Sequence, residues 1–134
     1  MKRYYGIGDG GQGESQDPMS VVADGGTIQN VIIDAPAGDG IHCEGSCTIR
    51  NVWWNDVGED AATFKSSSSS ATYLVDGGAK SASDNNGAGT LTIRNFQVHG
   101  SGKLYRAWGQ EPVRIGSGAD GVNCIYSSSD ITYR

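Results

Sequence analysis

The chain is poor in proline, with 3 residues, and in aromatics, at 8%, and nowhere does it carry the roughly 18 consecutive apolar residues of a membrane span. The last absence excludes a transmembrane helix. The opening MKRYYGIGDGGQGE also lacks the apolar core of a signal peptide, so no export address is expected in the chain as written. A cationic excess is missing too. Ten Lys and Arg against 15 Asp and Glu leave a net charge of −5, which excludes a nucleic-acid binder, because such proteins need clustered bases to displace counterions from phosphate. An acidic surface suits metal ions, or a small cationic site for an anionic ligand. What is abundant is glycine, at 21 of 134 residues, and with an apolar fraction of 37% this predicts many tight bends, few helices and an all-β fold. The length fits one domain spanning 1–134.

Cysteine is scarce and odd in number, at 3. Cys43 and Cys47 flank a short turn in HCEGSC and could pair across it or stay as thiols, with Cys124 left over. A lone CxxxC beside His42 is a poor zinc site, since structural zinc takes four ligands.

A repeat organises the chain. Thr27-Ile28-Gln29-Asn30-Val31 matches Thr48-Ile49-Arg50-Asn51-Val52 and Thr92-Ile93-Arg94-Asn95-Phe96, with starts 21 and then 44 residues apart. The larger gap is about two periods, and a weaker copy is expected at Ala71-Thr72-Tyr73-Leu74-Val75. Such a period, with short strands between glycine and asparagine corners, predicts a solenoid in which each coil stacks on the next. Asn30, Asn51 and Asn95 fall at one point of each copy, where stacked amides can bond from coil to coil. Trp53 and Trp54 are adjacent on a strand and must face opposite ways, one into the core and one out.

Each good copy has a second strand after a turn: Gly40-Ile41-His42-Cys43, then Ala61-Ala62-Thr63-Phe64-Lys65, then Lys103-Leu104-Tyr105-Arg106. The third copy has no apolar run there, which predicts that its second strand is missing. Residues 1–20 and Ser66 to Ser70 read as loops, and the tail 126–134 as an edge strand or cap. Parallel stacking would gather Asp39, Glu59, Asp60 and Asp84 from one turn of successive coils, and Lys65, Lys103 and Arg106 from the strands that follow. Clustered carboxylates repel unless a cation neutralises them, and Ca²⁺ takes 6–8 oxygens. Ordinary solvated turns would give the same spacing, so a calcium groove and a bland acidic edge both stand at this point.

The segments GGTIQNVIIDAPAGDGIHCEGSCTIRNVWWNDVGEDAATFK, GGAKSASD, NGAGTLTIRNFQV and GKLYR resemble pectate lyases of polysaccharide lyase family three, of the type found in fungi and other plant-associated microbes. The resemblance runs from residue 1 to about 106. It implies a right-handed parallel β-helix, secreted and monomeric, that cleaves polygalacturonate by calcium-dependent β-elimination. By position, Glu14, Asp39, Glu59 and Asp60 correspond to the family's calcium-binding and groove acids, and Lys65, Lys103 and Arg106 to its basic, substrate-contacting catalytic set. The chemistry suits those types: the C5 proton of a galacturonate becomes acidic only when its carboxylate charge is offset, and a basic side chain then removes it.

The chain also departs from the family. Relatives follow SASD with a lysine-bearing strand whose lysine is the proton acceptor, whereas here Asp84 is followed by Asn85-Asn86-Gly87. Met1 corresponds to an internal position of the family, and after Trp108 the chain passes directly to a segment like the family's last. From these differences a shortened solenoid with impaired activity is expected, the alternative being a non-catalytic pectin-binding or plant-recognised protein.

Overall fold

The T-I-x-N copies stack residue on residue. A computed structural model describes residues 1–11, 13, 15–79, 83–85, 89–97 and 105–107, with the backbone alone for 79, 83–85 and 105–107. All regular structure among them is strand: β1 (Lys2–Tyr4), β2 (Pro18–Val22), β3 (Gly26–Ile33), β4 (Asp39–Cys43), β5 (Cys47–Trp54), β6 (Ala62–Phe64), β7 (Thr72–Ala79), β8 (Ser83–Asn85), β9 (Thr90–Gln97) and β10 (Tyr105–Ala107). Odd-numbered strands form one five-stranded sheet, β1-β3-β5-β7-β9, and even-numbered strands the other, β10-β8-β6-β4-β2. Every pairing is parallel, so the chain winds alternately through the two sheets as a parallel β-helix.

The long strands turn a corner at the repeated asparagine. Asn30, Asn51 and Asn95 have φ of 58°, 50° and 52°, and Gly77, at the same point of the third coil, has φ of 75°. These residues lie within the strands rather than between them, and their left-handed backbone shifts the in–out alternation by one residue. In β5 the buried positions are Cys47 and Ile49 before Asn51, then Val52 and Trp54 after it. Trp54 is 5% exposed in the core and Trp53 is 37% exposed, as adjacent strand positions require.

The core is a column of apolar side chains from successive coils, with Ile33, Ile41, Ile49, Val52, Phe64 and Tyr73 all within 1% of full burial. Each such side chain is worth about 1.5–3 kcal/mol of transfer free energy. Phe64 and Tyr73 also stack across the two sheets, with ring centroids 4.7 Å apart. Cys43 closes β4 and Cys47 opens β5, and a disulfide joins them across the turn Glu44–Ser46. Cys124 and the tail 126–134 lie outside the described residues.

Two expectations are corrected. Residues 1–20 are not all loop, since Lys2–Tyr4 pair with β3 and Pro18–Val22 with β4. All three β1 side chains are exposed, so its sequence carries no apolar alternation to mark it as a strand. The third coil does have a second strand: Ser83–Asn85 pairs with β6 on one side and β10 on the other. A parallel strand is held by backbone hydrogen bonds to its neighbours, and a polar segment between two existing strands can supply them.

Candidate functional site

Gly38 to Cys43 builds one edge of the site. The turns before β4 and β6 are stacked by backbone hydrogen bonds: Gly58 N donates to Ala37 O at 2.9 Å, Glu59 N to Gly38 O at 2.8 Å and Gly40 N to Asp60 O at 2.9 Å. The last of these bonds brings the backbone of Asp60 against the residue that follows Asp39, so the two acids belong to the same edge in successive coils. Gly40 is required between them, because a Cβ there would fall on the carbonyl of Ala61. Asp9, Gly11 and Gln16 pack against the same edge. Gln16 Oε1 accepts from Asp9 N at 2.8 Å and its Nε2 donates to Gly11 O at 2.7 Å, while its side chain covers the position where Gly38 would carry a Cβ.

The basic side begins at Lys65, just after β6, whose N donates to Cys43 O at 2.9 Å. Its ammonium donates to His42 Nδ1 at 2.7 Å. An ammonium only donates, so it meets the lone pair of Nδ1, and the Nε2–H on the other side of the ring donates to Asp39 Oδ2 at 2.5 Å. The side chains of His42 and Asp39 are 11% and 17% exposed, so little water competes for these bonds and they are correspondingly stronger. In the sequence His42 stands out only as a poor zinc ligand beside CxxxC. The signal for it was the coil length: His42 lies three residues after Asp39, and 23 before Lys65, which is one 21-residue coil plus two.

The other expected residues are placed unevenly. Glu59 and Asp60 flank the entry to β6, both half-buried. Asp84 does not belong to their turn: it lies within β8 in register with Thr63, and Thr63 with His42. Arg106 continues that row in β10, beside Asp84. Glu14 and Lys103 lie outside the described residues. For a metal, the donor chemistry fits calcium, since Asp39, Glu59 and Asp60 offer hard carboxylate oxygens at one edge. Among the described residues, however, no group of three or more such side chains is gathered closely enough to hold an ion by itself.

The family model for pectate lyase matches residues 1–119 of the chain. Among curated relatives, the probable pectate lyase E of Neosartorya fischeri is 46% identical over 102 residues, covering 73% of this chain and 40% of that protein. Pectate lyase E of Emericella nidulans is 46% identical over 116 residues, covering 81% of this chain and 46% of that protein. The probable pectate lyase D of the same organism is 46% identical over 116 residues, again 81% of this chain and 44% of that protein. The chain thus spans less than half the length of the curated relatives it matches.

Proposed function

The chain belongs to the pectate lyase family, and from that premise we propose that it is a secreted, monomeric lyase acting on polygalacturonate, the pectate of plant cell walls, by calcium-dependent β-elimination. The observation that carries the reading is the juxtaposition of Asp39 and Asp60 on one edge with the Lys65 amine, held through His42, on the same sheet. The polymer is a run of carboxylates, so it needs both features: oxygen donors that share a cation with it, and side-chain cations that meet it directly.

In the reaction the C5–H bond of a galacturonate breaks, a C4–C5 double bond forms, and the C4–O bond to the neighbouring sugar opens. Negative charge builds on the carboxylate next to C5. Lys65, Lys103 and Arg106 are the groups that would lie against that charge and stabilise it; the C5 proton has to leave to a neutral base, and the departing sugar oxygen takes up a proton to become a hydroxyl. Glu14, Asp39, Glu59 and Asp60 would hold calcium, which when bound adds positive charge against the substrate carboxylate. A cation that takes 6–8 oxygens would keep positions for substrate beyond those the carboxylates fill. Where relatives carry a lysine after Asp84 this chain has Asn85, so the basic set is short of its proton acceptor and turnover is expected to be slow.

The test is the absorbance of unsaturated product from polygalacturonate at alkaline pH with calcium, run beside an intact relative and repeated with chelator. Slow turnover abolished by chelator is the expected result. Turnover equal to the relative's would overturn the impairment, and calcium-strengthened binding without any product would favour the second reading, a non-catalytic pectin-binding protein, to which the absent lysine also points.

A further inference from the structure

We propose that His42 is a positioning residue of this site, resting on the lyase reading above: it fixes where the Lys65 amine stands and keeps that amine from pairing directly with Asp39. Lys65 is exposed and carries a four-carbon stem with about 2 kcal/mol of rotamer entropy, so unaided it would sample many positions over the sheet. Asp39 is a carboxylate of the neighbouring coil. A lysine next to a carboxylate forms a direct ion pair, and such a pair would remove both charges from the substrate's reach. The imidazole stands between them. It accepts from Lys65 at Nδ1, 2.7 Å away, and donates to Asp39 at Nε2, 2.5 Å away, so one rigid ring sets the separation between the acidic edge and the basic set. Its backbone is anchored for the task. His42 pairs with Val21 on one side and Thr63 on the other, and it lies between Ile41 and Cys43, both fully buried. Thr63, next to it in register, is too short to replace it in bridging the two charges.

The two nitrogens can be tested apart. His42→Asn keeps an acceptor near the Nδ1 position but cannot reach Asp39, whereas His42→Gln keeps a donor near Nε2 and loses the acceptor for Lys65. Nitrogen NMR of the full chain is expected to find His42 protonated at Nε2 and bare at Nδ1. The Lys65 Nζ resonance should move in His42→Gln and stay near its original place in His42→Asn. With calcium and polygalacturonate, His42→Gln should lower kcat about 10- to 100-fold with KM within about 3-fold, and His42→Asn should recover most of that loss, because misplacing a reacting group acts on the chemical step. A ring protonated at Nδ1, a Lys65 signal indifferent to both variants, or equal kinetic losses in both would overturn the proposal. If the unsubstituted chain and Lys65→Ala alike release no product, the lyase reading alone fails, and the NMR comparison then decides whether His42 holds Lys65.

Discussion

Asp76 sits on the sheet of long strands, on the face away from the core, and takes three partners: Arg94 Nη2 at 2.9 Å, Asn95 Nδ2 at 2.9 Å and, more loosely, Arg50 Nε at 4.0 Å. The hydrogen bond from Arg94 first, then that from Asn95, holds its carboxyl below the usual carboxylate range, and the same contact raises the Arg94 guanidinium. A carboxyl with a depressed folded-state pKa adds stability that is present in full above its unfolded value and is lost as pH falls through the folded one. Asp76→Asn should therefore be less stable than the natural chain at neutral pH, with the gap closing in acid and narrowing in salt, since the two arginine side chains are more than half exposed to solvent. Urea melts of both chains across pH check this, and a gap that persists below the carboxylate range would rule it out. At this scale the candidate site was only partly legible. Asp39, Glu59, Asp60 and Lys65 could be named from the stacking of the repeats as well as from resemblance, whereas the mark of His42 is its spacing alone: its bond to Asp39 lies within β4, and its bond to Lys65 exists only because successive coils stack.

At the scale of the element, the asparagine corner is what makes each long strand serve two sides of the helix. Asn51 Nδ2 donates to Asn30 Oδ1 at 2.9 Å, the coil-to-coil bond expected of the repeat, and Asn51 Oδ1 in turn accepts from Trp53 Nε1 at 3.1 Å. The ladder then stops, since the third coil has Gly77 at this point and Asn95 turns to Asp76 instead. That coil is a natural control: glycine keeps the left-handed backbone and gives up the side-chain bonds. Asn51→Gly should thus cost about 1 kcal/mol, the worth of one or two partly exposed hydrogen bonds, and Asn51→Ala a further 1–2 kcal/mol for a Cβ in the left-handed region. Chemical denaturation measures both, and an alanine variant no worse than glycine would mean that the corner does not need its φ. Coil boundaries were less legible than corners. The 44 residues between Thr48 and Thr92 are not two equal periods, because Thr48 pairs with Leu74, 26 residues on, and Leu74 with Thr92, 18 further on. The run Ser66–Ser70 is a polar loop, as its composition predicts, and lengthens the first of these coils. The second is short, and its strand β8 is made of Ser83, Asp84 and Asn85, which no rule of apolar alternation would select.

For the molecule as a whole, each coil touches only its neighbours, so stability is a sum of coil terms and of the couplings between adjacent coils. The acidic edge bears on one of those couplings. Asp39 belongs to one coil and Asp60 to the next, in a chain whose net charge is −5, so without a counterion the edge sets like charges against the stacking that the core promotes. A calcium ion shared between the two would turn that repulsion into a cross-link, and by mass action it would favour the folded state by about 2.7 kcal/mol at a calcium concentration 100 times the dissociation constant. For a domain of this size that corresponds to a rise in melting temperature of roughly 10 °C. Thermal melts of the chain with calcium, with magnesium and with chelator should therefore differ, calcium giving the largest rise because magnesium demands a near-octahedral shell that an open edge does not offer. Asp60→Asn should abolish most of the calcium-dependent rise. A natural chain whose melting is indifferent to calcium would show that this edge carries no shared cation.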